Sequence, residues 1–90
     1  MNPSGAGVPS EKVGVVLTYL RSEFPVAEIL HDPQGDRMAD RYRIVQKGEV
    51  IHTLLVQRKF YDDNPDLGQV LAAMNVAGTL RAGNKQVDLG

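Results

Sequence analysis

The sequence predicts a small α+β protein with three strands in one antiparallel meander and two helices on one face of it. Apolar residues recur at helical spacing near both ends of the chain, over 13–24 and 67–77. Between these segments lie three short stretches rich in β-branched or alternating apolar residues, separated by glycine or proline. A helix, three strands and a helix pack most simply with both helices on the same side of the sheet.

Size and composition restrict the function classes. The chain has 90 residues, and we expect one domain over 10–82, between a flexible lead-in over 1–9 and a flexible tail over 83–90. The formal net charge is −1, so the basic excess of a dedicated nucleic-acid binder is missing. Cysteine is absent, which excludes disulfides and thiolate chemistry. Without a signal-peptide pattern or a long apolar run, we expect a cytoplasmic protein, and no residue pattern implies a cofactor.

The first helix has clear start and stop signals. Ser10 is a suitable N-cap, and Glu11 suits the positive end of the helix dipole. The apolar stripe follows at spacings of three and four, and Pro25 ends the helix at or before Phe24. The stripe consists of Val13, Val16, Leu17, Leu20 and Phe24.

The first strand is predicted over 26–31, because VAEILH is partly β-branched and bounded by Pro25 and by Asp32-Pro33. The next four residues, DPQG, have the composition of a type I turn with proline at its second position. The polar segment over 36–40 is predicted to be a loop.

The two remaining strands form a hairpin around Gly48. A three-residue loop of Gln46, Lys47 and Gly48 is preferred to a two-residue loop, which would scatter charges onto both faces. One face is then mostly apolar: Tyr42, Ile44, Val50, His52, Leu54, Val56, Arg58 and Phe60. The other face is mixed: Arg41, Arg43, Val45, Glu49, Ile51, Thr53, Leu55, Gln57, Lys59 and Tyr61.

The second helix is predicted to begin at the acidic stretch over 62–66. Asn64 is the expected N-cap and Pro65 the first helical residue. Gly78 is a candidate for the C-terminal cap, although the helix can also continue towards Arg81. The apolar stripe of this helix consists of Leu67, Val70, Leu71, Met74 and Ala77.

The element order over 10–81 resembles that of the double-stranded-RNA-binding domain. That family contacts phosphates through lysines at the start of its second helix. The corresponding segment here, over 63–69, is acidic or neutral, and neither lysine nor arginine occurs between Lys59 and Arg81. The resemblance is therefore one of topology, and the family's binding residues have no counterparts.

The mixed face of the hairpin gives the leading functional hypothesis. Helices on one side of the sheet leave apolar side chains of the other side in water, and such a patch often marks an interface. The predicted interface residues are Val45, Ile51, Leu55 and Tyr61. The third strand is expected to run over 49–62 and to form a long edge. Both features favour a non-catalytic interaction module that forms a homodimer.

The alternative hypothesis is a nucleic-acid-binding domain. The hairpin interleaves basic and aromatic residues, which is typical of surfaces that contact phosphates and stack on bases. The predicted contact residues are Arg41, Arg43, Lys47 and Lys59. The near-neutral charge of the chain and the core position expected for strand aromatics weigh against this hypothesis.

Other polar clusters are better explained structurally. His31 and His52 lack the converging ligands of a zinc site. The spacing of Asp32, Asp36 and Asp40 does not match a calcium loop. The acids at 62, 63 and 66 suit a helix start. These mismatches give no reason to expect a metal site. Because the sequence also shows no combination of nucleophile, base and orienting group, we do not expect an enzyme.

Overall fold

The computed structural model describes residues 10–34 and 38–90. Its helices are α1 (Ser10–Glu23), α2 (Arg58–Asp63), α3 (Leu67–Ala73) and α4 (Val76–Arg81). Its strands are β1 (Glu28–Gln34), β2 (Ala39–Gln46), β3 (Glu49–Gln57) and β4 (Gln86–Leu89). They form one sheet in the order β1-β2-β3-β4. The predicted α+β class is confirmed, with four strands instead of three.

One hydrophobic core lies between the sheet and the helices. The inward side chains of β2 and β3, among them Tyr42 and Leu54, are fully buried. Val16 and Leu20 of α1 and Leu71 of α3 pack in the same cluster. Since every described helix contributes to this cluster, the helices lie on one face of the sheet, as the sequence predicts. No helix in the described part of the chain is long and apolar enough to cross a bilayer.

The hairpin between β2 and β3 differs from the predicted register. Gln46 pairs with Glu49, which leaves a loop of Lys47 and Gly48, with φ values of 56° and 77°. Two consecutive residues with positive φ form the type I′ kind of turn that matches strand twist. The register then shifts between Ile44 and Val45, and Ile51 is the extra residue of a β-bulge.

The bulge restores the predicted faces for the residues beyond it, whereas Val50, predicted to point towards the helices, pairs with Val45 on the opposite face. Without it, a two-residue loop would place Ile44 opposite Ile51 and turn Leu54 away from the helices. With it, Ile44 lies opposite His52 and Tyr42 opposite Leu54. The three-residue loop is therefore wrong, yet its inward set is correct for Tyr42, Ile44, Leu54 and Val56, all of which are buried.

The third strand is shorter than predicted. It ends at Gln57, and the next six residues form α2. In a continued strand Tyr61 would point away from the helices, whereas α2 directs its side chain into the core, where it is fully buried. Lys12 donates from Nζ to the backbone carbonyl of Tyr61 at 2.7 Å, which fastens α2 to the start of α1.

The predicted second helix is divided into α3 and α4. Asn75 has left-handed backbone angles of 53° and 51°, and its side-chain oxygen accepts from the amide of Gly78. A Cβ on Gly78 would lie 2.2 Å from the Asn75 side chain, so glycine makes room for this cap. Gly78 is thus inside α4 and does not end a helix. Asn64, predicted as an N-cap, follows α2 and donates to the carbonyl of Phe60.

The tail predicted over 83–90 contains a strand. β4 pairs in parallel with residues 53–56 of β3, and Leu89 is buried.

At the other side of the sheet, β1 continues through Asp32 and Pro33 to Gln34, so the turn predicted there is wrong. β1 is an edge strand, which tolerates a proline without a backbone N–H. The predicted loop over 36–40 is corrected at Ala39 and Asp40, which belong to β2; its first two residues are outside the described part.

Candidate functional site

The sheet face away from the helices is the candidate site, and we name it the open face. Successive side chains of a strand point to opposite faces of the sheet, so the open face carries the residues that alternate with those of the core. Two cross-strand rows lie at its centre: Asp32, Arg41, Leu55 and Asp88, and next to it Leu30, Arg43, Thr53 and Gln86. A third set, Glu28, Val45 and Val50, continues the face towards the β2–β3 turn.

The centre of the open face is charged. Oδ2 of Asp32 lies 2.5 Å from Nη2 of Arg43 and 3.8 Å from Nη2 of Arg41. The three side chains are between 34% and 43% exposed, which is the range of partly solvated ion pairs. Such pairs contribute modestly to stability, about 0–1 kcal/mol each. Their main effect here is to neutralise positive charge and to hold Arg43 across β1.

Apolar side chains surround this charged centre. Leu30, Val45 and Leu55 are each partly exposed, and Val50 is 46% exposed at the turn end of the face. Leu55 lies between Arg41 of β2 and Asp88 of β4 in one row. The open face is therefore an aliphatic surface crossed by charges of both signs, which is the composition of a dissociable protein interface.

The structure places only two of the four predicted interface residues on this face. Val45 and Leu55 lie there, as predicted. Ile51 is at the bulge and packs partly against the hydrophobic core. Tyr61 is in α2 and fully buried, so its predicted exposure is wrong. Leu30 of β1 contributes to the apolar surface instead, a residue that sequence reasoning did not single out.

The predicted free edge of the third strand is also corrected. β3 lies between β2 and β4, and β4 covers it from Thr53 to Val56. The outer strands of the described sheet are β1 and β4. β1 carries Pro33 and two acids, which are features that discourage pairing with another strand.

The four residues predicted to contact nucleic acid do not converge. Arg41 and Arg43 are neighbours on the open face, and both approach Asp32. Lys47 is in the β2–β3 turn, at one end of the strands. Lys59 is in α2, which follows the opposite end of β3.

A buried polar cluster lies on the other face of the sheet. His31 donates from Nε2 to Oδ1 of Asp40 at 2.6 Å, and its ring lies 5.0 Å from that of Tyr42. The hydroxyls of Tyr42 and Tyr61 are 2.7 Å apart. Asp40 is 4% exposed, and its Oδ2 has no hydrogen-bond donor among the described residues. Sequence reasoning missed this cluster, because it placed Asp40 in a loop.

The environment of the cluster favours neutral phenols. Burial raises the pKa of Tyr61 well above its ordinary value, and the nearby Tyr42 hydroxyl and Asp40 carboxylate act in the same direction. Burial likewise raises the pKa of Tyr42, where Asp40 adds to the effect and the hydrogen bond with Tyr61 opposes it. Both phenols therefore stay protonated in the folded protein, where they hold α2 against β2.

The remaining polar candidates are dispersed. His52 donates from Nδ1 to the carbonyl of Asn84 at 3.1 Å, which supports the segment leading into β4. Asp32 and Asp40 point to opposite faces of the sheet, and Asp36 is outside the described residues. In the described ranges, no three side chains of the His, Asp and Glu types are grouped as a metal would require.

Comparisons with protein-family models, with curated proteins and with solved structures find no match to this chain. The function therefore has to be inferred from the geometry of its own surfaces.

Proposed function

We propose that the protein is a small non-catalytic interaction module that forms a homodimer through its open face. The supporting observation is the partial exposure of Leu30, Val45 and Leu55 on the face opposite the described helices, next to the exposed Val50. An apolar surface of this kind is stabilised when a second surface removes it from water. A second copy is the partner that suits it best, because the face carries both signs of charge.

The size of the open face sets the expected affinity. Four strands about 4.8 Å apart, with a mean length of about 23 Å, give a face of roughly 450 Å². A standard interface buries about 800 Å² on each partner. The proposed dimer is therefore in the weak class, and we expect a dissociation constant in the micromolar range.

The charges of the open face disfavour nucleic acid as its partner. Two arginines are offset by three acids: Glu28, Asp32 and Asp88. Phosphate binding depends on a local positive excess, which is missing on this face. Fluorescence anisotropy with single- and double-stranded oligonucleotides at about 50 mM salt, where electrostatic contacts are strong, checks this alternative. Salt-sensitive binding there would favour the nucleic-acid function over dimerisation.

Sedimentation velocity over a wide range of protein concentrations tests the proposal. The wild type is expected to shift from monomer to dimer, and Leu55→Asp is expected to remain monomeric. Val26→Asp is the matched control, because Val26 is 79% exposed in the loop before β1 and belongs to no strand of the sheet. A wild type that is monomeric at every concentration contradicts the proposal, as does a Leu55→Asp variant that still dimerises.

Circular dichroism establishes whether the Leu55→Asp variant is folded. Val50→Asp provides a second test if it is not, because Val50 lies on the open face in β3 and is 46% exposed. A folded Val50→Asp variant that dimerises as well as the Val26→Asp control would also overturn the proposal.

A further inference from the structure

The charges of the open face are arranged asymmetrically about β3. Going across the sheet, the central row reads Asp32, Arg41, Leu55 and Asp88. Leu55 on β3 therefore has a cation on one side and an anion on the other. This order restricts how two copies of the face can meet.

We propose that the two-fold axis of the dimer runs along β3, so that Arg41 of each copy faces Asp88 of the other. The inference rests on the proposed function and adds its geometry. Rotation about this axis exchanges the two sides of β3 and brings Leu55 against Leu55. Both Arg41–Asp88 contacts then form at once, because the interface of a two-fold dimer is self-complementary.

Two other placements are disfavoured by charge. An axis between β2 and β3 would overlap all four strands, but it would bring Asp32 against Asp88. An axis perpendicular to the strands and centred on this row would place each residue against its own copy, with Arg41 against Arg41. Like charges juxtaposed across an interface are costly. The axis along β3 is the placement that pairs opposite charges around an apolar centre.

The side chains involved are suited to such a contact. Nη2 of Arg41 lies 3.8 Å from Oδ2 of Asp32, whereas Nη2 of Arg43 lies 2.5 Å from the same oxygen. Arg41 is therefore the less tightly paired of the two arginines. The side chain of Arg41 is also the more exposed of the two, at 43% against 35% for Arg43. Asp88 is exposed and accepts from Nε2 of Gln86 at 2.9 Å, which leaves its second oxygen available for a cation.

The neighbouring row agrees with the same axis. It places Thr53 against Thr53 and Arg43 against Gln86. These contacts are polar and bring no like charges together. Asp32 stays outside the overlap and keeps its ion pair with Arg43. Sheets that pack face to face align within about 30°, so residues near the axis keep this correspondence.

A charge exchange tests the axis. Arg41→Asp alone sets two carboxylates against each other in both symmetric contacts of a dimer, and Asp88→Arg alone sets two guanidinium groups against each other there. Each variant is expected to raise the dissociation constant about tenfold or more. An equimolar mixture of the two variants is expected to recover the affinity of the wild type, because a mixed dimer has opposite charges in both contacts. Sedimentation velocity measures all four samples.

The outcomes separate this inference from the proposed function. One outcome contradicts the axis alone. The wild type dimerises and Leu55→Asp does not, but the mixture of the two charge variants binds no more tightly than either variant by itself. The open face then remains the proposed interface, and only the position of the two-fold axis is wrong. A monomeric wild type overturns both. Should Arg41→Asp fail to fold, Arg41→Gln and Asp88→Asn replace the pair. Each is then expected to weaken the dimer and to reduce its salt dependence, and an unchanged dissociation constant contradicts the axis.

Discussion

The hydroxyl oxygens of Tyr42 and Tyr61 lie 2.7 Å apart, in the core between β2 and α2. This hydrogen bond joins the middle of the sheet to a helix of six residues that is too short to be stable by itself. Both tyrosines are fully buried, and each hydroxyl has the other as a hydrogen-bond partner.

Removing one of the two hydroxyls is expected to lower the free energy of unfolding by more than half of the loss caused by removing both. Tyr42→Phe or Tyr61→Phe leaves a buried hydroxyl without its partner, which destabilises by about 1–3 kcal/mol. The double variant has no unpaired hydroxyl, so its loss is expected to be smaller than the sum of the single losses. Urea unfolding of the four proteins gives this coupling energy. Strictly additive losses would show that the hydroxyls do not interact.

Alkaline pH is expected to unfold the protein through the same pair. Burial raises the pKa of both phenols in the folded state, whereas in the unfolded chain they ionise near pH 10, at about the ordinary value. The stability they contribute is fully present below about pH 10 and is lost as the pH rises, because the unfolded state then releases protons that the folded state retains. Two groups give a slope of up to about 2.7 kcal/mol per pH unit.

Urea midpoints between pH 8 and pH 11.5 measure this loss. The variant with both tyrosines replaced by phenylalanine is the control, and its stability is expected to decline much less steeply. Equal slopes in the wild type and the control would assign the alkaline unfolding to other groups.

The turn between β2 and β3 is expected to accept a stabilising substitution. Lys47 has a φ of 56°, a region that disfavours most side chains and that asparagine tolerates well. Lys47→Asn creates the Asn-Gly pair preferred in two-residue hairpin loops, with an expected gain of about 0.5–1 kcal/mol. Lys47→Ala removes the same charge without the conformational benefit. Thermal unfolding compares the two, and an equal gain for alanine would assign the effect to charge.

The fourth strand is expected to be necessary for full stability. Leu89 is 4% exposed, and Leu89→Ala is expected to cost about 2–4 kcal/mol, as at other buried leucines. Gln86 is on the exposed side of the same strand, so Gln86→Ala is expected to change stability by less than about 0.5 kcal/mol. Chemical unfolding distinguishes them. Similar small effects at both positions would mean that β4 is not docked on β3.

The predictability of each element follows from how local its signal is. The sequence predicts α1 well, because an apolar stripe of several turns precedes Pro25. It does not predict α2, since six residues are too few to show a helical period after a strand with alternating polarity. β4 is missed for another reason. It is a strand of only four residues in a segment that follows Gly83, and it is stabilised by pairing with β3, about thirty positions earlier in the chain.

The candidate site was partly predictable on the same grounds. Val45 and Leu55 follow from strand alternation once the inward face is known. The ion pair between Asp32 and Arg43 could not be predicted in this way, because Asp32-Pro33 is also a good turn sequence. Pro33 is accepted in a strand here because β1 lies at the edge of the sheet. Asp88 depends on β4, so the row on which the proposed dimer axis rests was not accessible from the sequence.

The bulge at Ile51 makes the hairpin one residue longer than its pairing needs. A chain that lost Ile51 would still connect Val45 with Val50 and Ile44 with His52, now as a regular two-residue hairpin. Every pair farther from the turn, including Tyr42 with Leu54, would keep its partner and its face. A single deletion beside this turn can therefore be absorbed by flattening the bulge. An added residue finds no such reserve, so the segment is expected to tolerate shortening better than lengthening.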